Sequence, residues 1–151
     1  MTMRAIGVLC MGVLVMADPR ESAPAEPTGH ITGIGGVFFK ASDKARMLSW
    51  YTGNLGFQSG PEGITFRWRS HDQPEAEHLT VWSLFPGDSK YFEPSQAPFM
   101  INYIVDDLDA LLEKLRANGV TIDPKREDYD FGRFAWVYDP EGNKIELWEP
   151  R

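Results

Sequence analysis

Asp139-Pro140-Glu141-Gly142-Asn143-Lys144-Ile145-Glu146-Leu147-Trp148 decides how the rest of this chain is read. Asp, Pro, Gly and Asn within five residues are dense turn chemistry. The five residues that follow alternate, with Ile145 and Leu147 on one face and Lys144, Glu146 and Trp148 on the other. A strand of this kind packs its aliphatic face on a helix and turns a carboxylate and an indole the opposite way. Upstream, Phe134 to Tyr138 reads as the strand that the turn reverses.

Further back, Leu108, Leu111, Leu112 and Leu115 form one apolar stripe at i, i+3, i+4, i+7, so a helix is expected over Leu108–Ala117. Asp106-Asp107 supplies its N-cap, Asn118-Gly119 stops it, and Phe99–Val105 before it is β-prone. The same plan occurs once more. Gly35–Ala41 is a strand, Ser42-Asp43 a cap, Lys44–Gly53 a helix with Ala45, Leu48 and Tyr51 in step, and Leu55-Gly56-Phe57 a stop. Ile64–Arg69 and His78–Phe85 follow as strands, and Gly87–Ala97 is a connector. Cap to stop spans 13 residues in the first unit (Asp43 to Gly56) and 12 in the second (Asp107 to Gly119). An internal duplication governs the fold more than any single element.

The chain has 151 residues, 15 Lys+Arg against 22 Asp+Glu, and a formal charge of −7. That suits one domain, or two half-sized modules on one core. No basic block is present, so a nucleic-acid partner is not expected. One cysteine, Cys10, excludes an intramolecular disulfide framework and a Cys-rich zinc site. Residues 1–30 read as a leader. Ala5–Ala17 is apolar but too short to span a bilayer, and Pro19, Pro24 and Pro27 follow. Two origins stand: a short secretory signal with export, or a start at Met16 with a cytoplasmic protein.

The two caps, the two helix stops and the closing turn-and-strand resemble the vicinal oxygen chelate superfamily, which contains glyoxalases, bleomycin-resistance proteins and extradiol dioxygenases. The likeness runs over residues 31–150, with modules at about 31–86 and 98–150. It implies an α+β fold: two βαβββ modules whose curved mixed sheet encloses a cleft. It also implies a divalent metal in catalytic members, ligated from the first and last strand of each module. Carried onto this sequence, those positions fall on Gly36, on Thr80 or Trp82, on Met100 and on Glu146. Only Glu146 is a ligand for a hard cation. No cofactor is therefore expected, and a divalent metal only if another residue, such as His78, completes a set.

Strand parity then places residues at the cleft. Phe38 and Lys40 come from the first strand, His78, Thr80 and Trp82 from the fourth, and Met100 and Asn102 from the strand after the connector. Trp68 and Trp136 are expected to join them, and Leu79 and Val81 to pack on the helix. Aromatic walls with a few polar groups suit a small-molecule partner. Glu146 is the candidate for pairing a basic group or acting as general base. Three functions follow: metal-independent binding of a small aromatic or cationic molecule; a metal-dependent lyase, isomerase or dioxygenase; or a non-catalytic domain for a protein partner with a filled cleft. A homodimer is compatible with each.

Overall fold

A computed structural model describes residues 29–60 and 63–151. The leader expected over residues 1–30, with both readings of its origin, lies outside these apart from Gly29 and His30. The elements are β1 (Ile31–Ala41), α1 (Lys44–Leu55), β2 (Ser59–Gly60), β3 (Gly63–Arg69), β4 (Glu77–Pro86), a short 3-10 turn η1 (Lys90–Phe92), β5 (Phe99–Val105), α2 (Leu108–Ala117), β6 (Thr121–Tyr129), β7 (Gly132–Tyr138) and β8 (Lys144–Pro150). Among the described residues no helix is long and apolar enough to cross a membrane.

All eight strands form one open mixed sheet in the order β2-β3-β4-β1-β5-β8-β7-β6. Each module is strand, helix, three strands, and the modules meet where β1 and β5 pair antiparallel. This is the α+β architecture of two βαβββ modules that the family resemblance implies. Val37 and Ile101 face each other at the centre of that pairing. Stepping outward from them makes Gly36 the counterpart of Met100, and Phe38 the counterpart of Asn102. The parallel neighbours of Phe38 and Asn102 are Ser83 and Glu146. Ser83, and neither Thr80 nor Trp82, is thus the first-module counterpart of Glu146.

The two helices bury unequally. Asp107 caps α2 by accepting from the Ala110 N–H at 3.0 Å, and Leu108, Leu111 and Leu112 are buried against Val105, Ala135, Val137 and Leu147. Glu149 of β8 accepts from the Leu108 N–H at 2.6 Å and binds Arg133, so a carboxylate sits at the positive end of that helix. Asp43 caps α1 in the same way, through the Arg46 N–H at 2.9 Å, and Gly56 ends it with φ +69°. Yet no residue of α1 is buried, and Leu48, Trp50 and Leu55 are exposed.

The sequence pattern marks neither the two-residue β2 nor the longer β6. β6 is the more telling case. It carries Pro124 and a charged run, and it lies at the sheet edge with a register shift between Ile122 and Arg126. An edge strand tolerates a missing N–H and water-facing charges, which is why no apolar alternation announces it. Leu111→Ala should cost about 2–5 kcal/mol, whereas Leu48→Ala should cost under about 1 kcal/mol. Urea unfolding of the two variants checks this contrast.

Candidate functional site

The face of the sheet away from the helices is built in rows across neighbouring strands. One row runs Gly36, Asn102, Glu146, Trp136, each opposite the next. The next row runs Gly33, Ile104, Trp148, Phe134. The turn ahead of β8 aims these side chains. Asp139 accepts from the N–H groups of Glu141 and Asn143 and from the Asn143 side chain, and Gly142 takes φ +80°. Asp139 is therefore a turn former, and the Asn143 bonds hold its carboxyl below the usual range.

Glu146 is 2% exposed, and its carboxylate is surrounded by neutral donors. The Asn102 amide donates to Oε1 at 2.7 Å, the Trp136 indole N–H to Oε2 at 2.9 Å, and the Tyr91 hydroxyl also to Oε2. No cation lies within ion-pair distance of it among the described residues. Burial, followed by the charge of Glu146, pushes the Tyr91 phenol well above its ordinary range, so it stays protonated and donating. Lys144, two residues along the same face, donates to the Tyr91 carbonyl at 2.9 Å and lies 5.7 and 5.5 Å from the Tyr91 and Trp136 rings. Desolvation pulls its amine below the ordinary value. Tyr138, which donates to Asp123, is pushed up to about 12, chiefly by burial.

Aromatic rings fill the rest of this inner zone. Phe92, Met100 and Trp136 are buried together with Phe38, Phe85 and Tyr91 against them. The ring of Phe38 folds back over Gly36, where a Cβ would meet it at 2.5 Å. Lys40 caps the far side of Phe92 at 5.2 Å. Phe38, Lys40, Met100, Asn102, Trp136 and Glu146 thus come together as strand parity predicts.

The fourth strand does not follow the expectation. Val81, Ser83 and Phe85 face the concave side, and Trp82 packs on α1, with ring centroids 4.5 Å from Tyr51 and 5.5 Å from Phe57. Both parities of β4 mix apolar and polar residues, so alternation alone cannot choose a face, and α1 supplies the rings that match Trp82. Trp68, His78 and Thr80 form a separate unit at the strand ends. Trp68 stacks on His78 at 4.7 Å and donates to Thr80 Oγ1 at 2.9 Å, and Thr80 donates to the Ile34 carbonyl at 2.5 Å. Beside this unit a pocket of about 250 Å³ opens, lined by His78, Leu79, Ile104, Phe131 and Trp148 with Glu77 and Arg151 at the rim.

The four positions at which a metal ligand would be expected hold Gly36, Ser83, Met100 and Glu146. One carboxylate already held by three donors, a hydroxyl, a thioether and a backbone do not suit a hard divalent ion. Among the described residues no three His, Cys, Asp or Glu side chains cluster for one.

Residues 28–147 match the family described as the Glyoxalase/Bleomycin resistance protein/Dioxygenase superfamily. The chain belongs to that superfamily. Its fold is similar to a Streptomyces coelicolor methylmalonyl-CoA epimerase variant in complex with 2-nitronate-propionyl-CoA, at 17% identity and TM-score 0.58, covering 80% of this chain and 99% of that one. It is also similar to the Mn(II)-bound glyoxalase from Novosphingobium aromaticivorans, at 18% identity and TM-score 0.52, covering 80% of this chain and 40% of that one. At such identities the likeness concerns the fold. Comparison with curated proteins by sequence returns no match.

Tyr91 and Phe92 are the site residues that sequence reading misses. Their signal is an aromatic pair inside an otherwise polar, Gly- and Pro-flanked connector. Trp136→Phe should leave a Glu146 oxygen short of a donor and cost about 1–3 kcal/mol, and thermal or urea unfolding reads it. Lys144 binds its proton less tightly when folded than when unfolded. Its burial therefore opposes folding below the lowered pKa, and that opposition fades as pH rises towards 10.5. The stability of the native protein relative to Lys144→Met should accordingly rise as pH climbs towards 10.5.

Proposed function

We propose that this chain is a metal-independent small-molecule-binding member of its superfamily, and that it takes a small planar aromatic guest on the concave face. One observation carries the reading: the single inherited carboxylate, Glu146, is engaged by Asn102, Trp136 and Tyr91. A ring fills the space over Gly36 in place of a ligand side chain.

The guest's seat is the pocket of about 250 Å³ beside the row of Ile104 and Trp148. Its floor is the Trp148 indole, stacked on Phe134 with ring planes 5° apart. Small-molecule pockets begin near ~300 Å³, so this one suits a guest of one or two fused rings. An aromatic guest is favoured over a cationic one because the rim charges are already matched. Glu77 pairs with Arg67, and Arg151 pairs with Asp128. The remaining lining is ring and aliphatic surface, on which another ring stacks well.

Titration with quinoline, a planar two-ring probe with no hydrogen-bond donor, followed by tryptophan fluorescence, tests this. The expected result is saturable binding of one molecule per chain, unchanged by dialysis against EDTA and weakened about tenfold by Trp148→Ala. Binding that needs added Mn²⁺, Ni²⁺ or Zn²⁺, or no saturable binding at all, overturns the reading.

A further inference from the structure

We propose that the concave face holds a second, inner seat for a neutral phenol-type molecule, and that Tyr91 of the connector occupies it as an internal ligand. The inference rests on reading this face as a small-molecule site, and it concerns a place distinct from the pocket beside Trp148.

The arrangement of donors around Glu146 points to it. Asn102 and Trp136 approach from β5 and β7, strands hydrogen-bonded to β8 on either side. The third donor comes from outside the sheet, on the connector between the modules. A buried carboxylate is costly to keep where an apolar side chain would pack as well. One of its three donors is drawn from the connector and not from the sheet, which marks a position that another hydroxyl can take.

The ring of Tyr91 is held as a planar guest would be. It stacks on Phe85 at 5.3 Å with planes 9° apart, and Trp136 meets it edge-on at 6.1 Å. The Lys144 ammonium group lies near its rim. Stacking, an edge contact and one charge-assisted acceptor together select a flat ring with one O–H. A carboxylate guest is disfavoured, because it would face Glu146 with like charge, and a plain hydrocarbon leaves Oε2 one donor short.

The connector around Tyr91 is tied mainly to itself. Ser89 donates to the Pro86 carbonyl, Glu93 to that of Lys90 and Ser95 to that of Phe92, and Lys90 pairs with Glu93. Phe92, which is wholly buried, anchors the segment independently of the Tyr91 hydroxyl. Tyr91 can therefore rotate out of its seat while Phe92 keeps the connector docked.

The test is binding of 4-methylphenol, with toluene as the control that lacks the donor. Tyr91→Phe keeps the ring but removes its claim on Glu146. This variant should bind 4-methylphenol about tenfold more tightly than the native chain, the usual size of one unsatisfied buried acceptor. Toluene, which offers no donor, should bind each protein about tenfold more weakly than 4-methylphenol, and Glu146→Gln added to Tyr91→Phe should remove the phenol's advantage. In the native chain, saturating 4-methylphenol should move the Tyr91 ring proton signals away from their ring-shifted positions beside Phe85 and Trp136. Equal affinity of native chain and variant for 4-methylphenol, or unmoved Tyr91 signals at saturation, overturns the inner seat. Neither outcome alters quinoline binding beside Trp148, so failure here is distinguishable from failure of the function proposed above.

Discussion

A carboxylate taken out of water must be met on both oxygens, and the position of Glu146 imposes that demand at the middle of this sheet. Asn102 and Trp136 lie on either side of it in one cross-strand row, and Tyr91 reaches in from the connector. The other features of the concave face follow from this. Lys144 is steered to a backbone carbonyl between two rings. Gly35 must lack a side chain, since a Cβ there would stand 2.2 Å from the Asn102 Oδ1. The connector is drawn across the face, and Phe92 seals what Tyr91 begins.

The duplicated architecture explains why such a site exists at all. Joining β1 to β5 brings two related strand pairs together about one axis, so four equivalent positions converge on the concave face. In this chain they hold a glycine, a serine, a methionine and a glutamate. Neutral hydrogen bonds and aromatic packing replace the donor set that a hard cation would require, and the space is redistributed. Inside it is filled by Phe38, Phe85, Tyr91 and Phe92; outside, next to Trp148, it stays open.

Much of the fold was legible because its signals are local and repeated. Two Asp caps, two helix stops and the turn at Asp139 each depend on a few adjacent residues. The leucine stripe of α2 states its burial outright. β6 was not legible, since an edge strand with Pro124 and alternating charges needs no apolar face. The facing of β4 was not legible either: Trp82 and Phe85 lie on opposite faces of a strand that carries both apolar and polar residues on each face, and only the partner rings on α1 decide between them. At the site, Glu146 followed from strand parity because Ile145 and Leu147 mark the opposite face of its strand as aliphatic, and Asn102 followed from its place in the duplicated plan; the facing of Trp136 was less plain, since Arg133 interrupts the apolar residues opposite it. Tyr91 did not, because its role depends on where an irregular connector crosses the sheet, which no periodicity encodes.

The central claim is that three neutral donors hold Glu146 where a metal would otherwise sit. The ¹H–¹⁵N signal of the Trp136 indole tests it most directly. The account predicts a downfield signal that exchanges slowly with solvent and is unaffected by one equivalent of Mn²⁺. A signal that exchanges at the free rate, or that Mn²⁺ broadens at stoichiometric amounts, would contradict it.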